Sequence, residues 1–133
     1  MSARPWFKFY VSNWRSDPVL RSCTAAARGL WIDMLCLMHE ASPRGHLCLP
    51  NGRMIDERLL SALCGMPAEE VRPLLTELLR AGVFSVAEDG AIFSRKMVRD
   101  EERSRRGKED GKTGGNPQLI GRRVIPLRTS GGG

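Results

Sequence analysis

The longest apolar segment of the chain, residues 25–41 with the sequence AAARGLWIDMLCLMHEA, has no continuous polar face. Between Leu30 and Met38 only Asp33 is polar, and a helix that is apolar on all sides is typical of the interior of a domain. Thr24 precedes the segment and is a favourable N-cap residue. The pattern therefore predicts a buried central helix.

Two further apolar stripes at helical spacing flank Gly65 and predict a pair of helices joined by a tight turn. The apolar positions are Leu59, Leu60, Leu63 and Cys64 before the glycine and Val71, Leu74, Leu75, Leu78 and Leu79 after it. The small Ser61 four residues before Gly65 and the apolar Val71 six residues after it fit the spacing of a helix-turn-helix. Gly82 is expected to end the second helix, and Pro73 inside it is expected to reduce its stability.

Short β-rich runs complete this part of the chain. VFSV at residues 83–86 and AIFSRKMV at residues 91–98 flank Asp89-Gly90, which is a strong hairpin signal. Residues 46–49 are a further strand candidate. The order helix, strand, helix, turn, helix, hairpin predicts an α+β fold of the winged helix-turn-helix type, a helix bundle with a small antiparallel sheet as the wing.

The composition changes after residue 98, which divides the chain into three predicted regions. Residues 1–98 form a winged-helix domain with an N-terminal aromatic arm, residues 99–112 a charged helical extension, and residues 113–133 a flexible tail rich in glycine and proline. The net charge of +6 is uneven, since residues 1–98 carry 12 basic and 10 acidic groups whereas residues 99–133 carry 9 and 5. A basic segment favours an acidic partner, and nucleic acid is the first candidate.

Candidate DNA contacts follow from this fold and charge. On the second helix of the pair, Arg72, Thr76 and Arg80 are the outward groups expected nearest to base edges. The candidate phosphate ligands are Arg95, Lys96, Arg103, Arg105, Arg106 and Lys108.

Acidic residues oppose the DNA interpretation. The outward positions of the same helix also include Glu69, Glu70 and Glu77, and the hairpin tip carries Glu88 and Asp89. Carboxylates at these positions would repel a phosphate backbone. Two alternatives stay open: a protein-interaction module that docks this acidic helix on a replication, host or defence protein, and a charge-balanced extension that contributes only solubility.

Five of the eight aromatic residues lie in WFKFYVSNW, at residues 6–14. The rings either close one side of the central helix, with Trp31 as their partner, or form a platform on which nucleic-acid bases stack. Base stacking favours exposed rings interleaved with cations, and only Lys8 and Arg15 are close in sequence. Because aromatic side chains are usually buried, the core-plug interpretation is favoured.

Catalytic and metal chemistry has little support in the sequence. The two histidines both lie near the end of the central helix and no Ser-His-Asp or Cys-His arrangement stands out, so neither enzyme activity nor a cofactor is expected. The spacing of Cys36, His39, His46 and Cys48 leaves a zinc site as a weaker alternative. No apolar run suits a membrane span or a signal peptide, which predicts a cytoplasmic protein.

Three segments carry a family resemblance: PWFKFYVSNW, AARGLWIDMLCLMHEA and FSRKMVRDEERSRRGKEDGKTGGNP. Over about residues 4–118 the chain resembles phage and prophage proteins, the winged-helix N-terminal regions of the replication protein O-like and YdaU-like families. Where the family has FYPSDW, this chain has FYVSNW, with Val11 and Asn13 at the differing positions.

The resemblance implies a domain that binds replication-origin DNA or helps to recruit a helicase in a bacterial host. The function expected from the sequence is thus that of a non-enzymatic, phage-derived DNA-binding protein in replication initiation or its control. Its expected partners are duplex DNA and a replication or host protein.

Overall fold

The structure is a computed structural model that describes the backbone of residues 5–114 and side chains as far as residue 107. The described residues form six helices and one two-stranded antiparallel sheet, which makes the fold α+β as predicted. The elements are α1 Val11–Ser16, α2 Pro18–Arg21, α3 Ala25–Glu40, α4 Glu57–Cys64, α5 Ala68–Ala81, β1 Ser85–Val86, β2 Ile92–Phe93 and α6 Arg95–Gly114. The chain divides into two units, Met1–Val98 and Arg99–Gly133, and the predicted tail at residues 113–133 lies outside the described residues except for its first two positions.

Helix α3 is the centre of the first unit. Thr24 caps it as predicted, since its hydroxyl accepts a hydrogen bond from the backbone N–H of Ala27 at 3.2 Å. Met34 and Met38 are fully buried. The prediction that α3 is apolar on all sides needs correction, because Asp33 and other residues spaced along the helix are exposed and form a narrow solvent-facing stripe. The stripe consists of Ala26, Gly29, Asp33, Cys36 and Glu40.

Helices α4 and α5 form the predicted pair joined at Gly65. Gly65 has a φ of 67°, a left-handed conformation that glycine adopts without steric cost, and its N–H donates to the carbonyl of Ser61. The Ser61 hydroxyl also donates to the Met66 carbonyl, which closes the turn. Leu60 of α4 and Val71 of α5 are buried, as their helical spacing around Gly65 predicts.

The apolar stripes of this pair are narrower than predicted. Leu63 is 46% exposed and Leu79 is 50% exposed, so neither contributes fully to the seam. Leu78, the neighbour of Leu79, is completely buried because α5 packs against both α3 and α4. Helical spacing predicted the stripe, but only the positions of α3 and α4 decide how wide it is.

The hairpin forms at the predicted place with very short strands. Ser85 pairs with Phe93 and Val86 with Ile92, around a turn that contains Gly90. The second β-rich run contributes only two residues to the sheet because α6 begins at Arg95. The strand predicted at residues 46–49 is wrong as a strand, since this segment makes only isolated bridges, one of them between His46 and Phe93.

The predicted aromatic plug is wrong for three of its five rings. Trp6, Phe9 and Tyr10 are 55%, 44% and 49% exposed, and no residue of α1 is buried. The Trp31 ring lies instead beside the ring of Phe84, at a centroid distance of 6.1 Å. Because Phe84 and residues of α5 already cover this part of the central helix, the core has no room left for the rings of Trp6, Phe9 and Tyr10, whereas Phe7 and Trp14 are partly buried.

Glu77 does not project freely from α5, although the sequence suggested an outward position. Its carboxylate accepts hydrogen bonds from the backbone N–H of Thr24 and, at 3.0 Å, from the Thr24 hydroxyl. This is a long-range counterpart of a capping box, because a carboxylate stabilises the N-cap residue of a helix far away in sequence. Glu77 therefore joins α5 to the start of α3.

Replacing Glu77 with alanine is expected to lower the free energy of unfolding by about 1 kcal/mol, because two donors of Thr24 lose their acceptor. Chemical denaturation followed by circular dichroism measures this change. Glu70→Ala is the matched control, since Glu70 is exposed on the same helix. The control should change the free energy by less than about 0.5 kcal/mol, and equal effects of both variants would contradict the capping role.

Candidate nucleic-acid interface

The predicted base-reading residues lie on one face of α5. Arg72, Thr76 and Arg80 recur every four residues, and both arginines are exposed while Thr76 is half-buried. The Nε atom of Arg72 lies 3.0 Å from Oε1 of Glu57, and both side chains are largely exposed. Glu69 falls on the same side of the helix, three residues before Arg72. This face therefore offers Arg80 and a partly neutralised Arg72 beside a carboxylate.

Two of the predicted phosphate ligands have partners within the first unit. The guanidinium of Arg95 donates to the Ser85 hydroxyl and to the Gly82 carbonyl, both at 2.7 Å, and so ties the start of α6 to the hairpin and the end of α5. The Nζ atom of Lys96 lies 5.2 Å from the centroid of the Tyr10 ring, a cation–π distance. Both side chains remain exposed.

The remaining predicted ligands lie on α6 after Val98. Arg103, Arg105 and Arg106 are all exposed, and Lys108 lies on the helix with its side chain outside the described residues. Arg99, which the site prediction omitted, is exposed as well. The helical period could have identified it from the sequence.

The arginines of α6 are not distributed evenly around the helix. Arg99, Arg103 and Arg106 are spaced i, i+4 and i+7, so they share one face, whereas Arg105 lies on the opposite side. The Nη1 atom of Arg103 is 3.7 Å from an oxygen of Asp100, in a pair open to solvent. Such pairs are weak, so the guanidinium groups stay available to an external anion.

The hairpin tip is acidic. Glu88 and Asp89 are exposed, and Oδ1 of Asp89 accepts a hydrogen bond from the backbone N–H of Ala91 at 3.0 Å. The side chain of Asp89 therefore stabilises the turn. Neither residue offers a positive charge to a phosphate.

The aromatic arm, Trp6–Trp14, is a candidate surface that the sequence interpretation underrated. It exposes three rings together with Lys8, and Arg15 follows it in an exposed position. The rings of Phe9 and Trp14 lie 5.3 Å apart and are tilted by 49°. The spacing of the residues could not reveal that the rings face solvent.

Two of the four residues of the zinc alternative form hydrogen bonds with other groups, and the ring of His46 stacks on the ring of Phe93. Nδ1 of His39 accepts hydrogen bonds from the Arg44 guanidinium, the shorter at 2.8 Å, and the Cys48 thiol donates to the Ser42 carbonyl at 3.4 Å. Cys36 lies in the solvent-facing stripe of α3, but its thiol is still partly desolvated. This desolvation, then the carboxylates of Asp33 and Glu40, raise the pKa of the Cys36 thiol, which disfavours the thiolate that zinc requires. In the described part of the chain no three or more such side chains come together to hold a metal ion.

Within residues 5–114, none of the helices combines the length and the apolar character needed to cross a lipid bilayer. Comparison of the chain with protein-family models, with curated proteins and with solved structures produced no match.

Proposed function

We propose that this protein is a non-enzymatic, winged-helix nucleic-acid-binding protein that holds the phosphate backbone of duplex DNA. The observation that carries the proposal is the exposed face of Arg99, Arg103 and Arg106 on α6. The three guanidinium groups are spread along about 11 Å of helix, which suits the closely spaced phosphates of duplex DNA. Each contact between an arginine and a phosphate releases a counterion that was condensed on the DNA. The proposal makes these arginines the main electrostatic contacts.

The α4–Gly65–α5 pair and the following hairpin support a winged-helix assignment, since they have the order and the turn of that architecture. The exposed carboxylates of Glu69 and Glu70 on α5 and the acidic hairpin tip argue against deep insertion of either element into a groove. Binding would then depend mainly on phosphate contacts, with Thr76 and Arg80 as the groups of α5 best suited to touch base edges. We expect modest sequence discrimination as a result.

The biological setting follows from the resemblance to phage and prophage replication proteins. A domain that binds duplex DNA with little sequence preference suits replication initiation or its control, in a bacterial cytoplasm, where a second protein supplies the site selection. The resemblance alone carries this part of the proposal.

A salt titration tests the proposal. The full chain is titrated against a fluorescently labelled duplex at several salt concentrations, and the logarithm of the binding constant is plotted against the logarithm of the salt concentration. Three phosphate contacts predict a slope of about −2.7 or steeper. Absence of binding at low salt, or an affinity independent of salt, would overturn the proposal.

A protein-interaction module is the second candidate, favoured by the exposed carboxylates of Glu69 and Glu70 and the half-exposed Leu79 on α5. A basic partner protein would suit this face of the helix. Glu69→Arg with Glu70→Arg should abolish capture of such a partner and leave duplex binding intact or stronger. Glu77 is unsuitable for this test because its carboxylate holds Thr24.

A further inference from the structure

The aromatic arm exposes three large rings within five residues. Trp6, Phe9 and Tyr10 are each between 44% and 55% exposed. Aromatic side chains bury a large apolar area when the core offers a place, so exposure of several together points to a use at the surface. The kind of ligand that the arm can bind depends on its anchoring to the first unit and on the charged side chains beside it.

The arm is anchored to the first unit at both ends. The ring of Phe7 lies 5.3 Å from the ring of His39, which is buried at the end of α3. Trp14 is partly buried and packs against the core. Within the arm, the backbone N–H of Trp14 donates to the Tyr10 carbonyl at 3.1 Å. An anchored segment presents its exposed rings at a low cost in conformational entropy when a ligand binds.

The charged side chains within the arm and directly after it are positive, and one further cation lies beside a ring. Lys8 and Arg15 are exposed, and Nζ of Lys96 lies 5.2 Å from the centre of the Tyr10 ring. Residues 5–16 contain no acidic residue. The next acid along the chain, Asp17, accepts a hydrogen bond from the N–H of Val19 and caps α2. Flat apolar rings with cations beside them complement a ligand that is both planar and anionic.

We propose that the aromatic arm binds single-stranded nucleic acid. Unpaired bases would stack on Trp6, Phe9 and Tyr10, while Lys8, Arg15 and Lys96 contact the phosphates between them. A duplex does not satisfy this surface, because its base faces are already covered by neighbouring base pairs. The combination of stacking rings and a cationic surround is the general mode by which proteins hold single strands without reading sequence.

This site differs from the arginine face of α6 that carries the proposed function. The inference goes beyond duplex binding and does not depend on it, since it uses only residues of the first unit. DNA and RNA share the bases and phosphates that the arm would contact, so the experiment includes both.

The test measures fluorescence anisotropy of labelled oligothymidylate and oligouridylate of about 15 nucleotides, titrated with the full chain. The double variant Trp6→Ala/Phe9→Ala should bind about 100-fold more weakly, since each lost stacking contact weakens binding about tenfold. Val11→Ala is the matched control, because Val11 lies in the same arm and is 64% exposed but has no ring. It should bind as the unaltered chain does.

A second pair of variants separates stacking from simple apolar contact. Phe9→Trp keeps an aromatic face and should retain the affinity, whereas Phe9→Leu keeps apolar area without the face and should bind about tenfold more weakly. Binding should also quench part of the tryptophan fluorescence, and Trp6→Phe should abolish most of that quenching while preserving the affinity. The buried Trp31 provides an emission that stays constant.

Several results would overturn the inference: unchanged single-strand binding by the double variant, equal affinities of the Leu and Trp variants, or a loss in Val11→Ala as large as in the double variant. A change in oligomeric state, measured by analytical ultracentrifugation, without a change in single-strand affinity would assign the arm to contacts between copies instead.

Parallel titrations with duplex DNA separate the two proposals. If the duplex binds and the single strand does not, only the inference fails; if the single strand alone binds, only the proposed function fails.

Discussion

Replacing Leu78 with alanine is expected to lower the free energy of unfolding by about 3 kcal/mol. Leu78 is completely buried on α5, which packs against α3 and α4. The substitution removes three side-chain carbons from the core and leaves a cavity that rigid neighbours fill only partly. Urea denaturation followed by circular dichroism measures the loss as a lower midpoint with an unchanged slope.

Leu79→Ala is the control for this prediction. The two leucines are adjacent on the same helix and have the same chemistry, but Leu79 is 50% exposed. We expect it to lower the free energy of unfolding by less than about 1 kcal/mol, because about half of its surface stays in water in the folded state. Similar losses of unfolding free energy in both variants would mean that α5 does not turn Leu78 toward the core and Leu79 toward solvent.

Replacing Arg99, Arg103 and Arg106 with glutamine is expected to weaken duplex binding by about two orders of magnitude near 0.1 M salt. The reason is counterion release: three lost phosphate contacts reduce the slope of the salt dependence by about 2.7. Glutamine keeps the length and polarity of the side chains, and all three positions are exposed, so the fold should be unaffected. Fluorescence anisotropy at four or more salt concentrations gives both the affinity and the slope.

Arg105→Gln is the matched control for the arginine face. Arg105 lies on the same helix and is also exposed, but helical spacing places it away from the side that carries Arg99, Arg103 and Arg106. If the proposed face binds DNA, the control should leave the slope unchanged. An unchanged slope in the triple variant would remove the arginines as the carriers of binding, and equal effects per residue would indicate a non-specific charge effect.

Local signals in the sequence were sufficient for most elements. Thr24 before an apolar segment predicted the start of α3, and Gly65 between two apolar stripes predicted the turn that the structure contains. The Asp89-Gly90 pair likewise placed the hairpin. These predictions hold because caps, positive-φ turns and helical periods depend on residues only a few positions apart.

The candidate site was less predictable because it depends on contacts between residues far apart. The helical pattern predicts Glu77 as an outward acid of α5, yet its carboxylate accepts a hydrogen bond from Thr24, the N-cap residue of α3, which lies 53 residues earlier. Arg95 reads as a free cation, yet it holds Gly82 and Ser85. A helical period specifies the direction of a side chain but not which neighbour lies in that direction.

The close approach of Val98 to the loop after the central helix, within the first unit, is another such contact. Gly45 has a φ of 96°, and a Cβ atom at this position would lie 2.7 Å from Cγ2 of Val98. The sequence indicated only that Gly45 follows the central helix. The need for a residue without a side chain arises from Val98, which the fold brings to the same place.

By itself the sequence determined helices α3, α4 and α5, the hairpin, their order, and a concentration of basic residues after Val98. It did not predict helix α1, and the strand that it predicted at residues 46–49 does not form. Only the tertiary structure decided that three rings of the aromatic arm face solvent, because apolar side chains compete for the same surface of α3. Phe84 and the residues of α5 occupy that surface, and the rings of Trp6, Phe9 and Tyr10 are left outside the core. Short-range sequence patterns indicate which side chains are apolar enough to be buried. The tertiary structure decides which of them are buried, because the core can hold only some of these side chains.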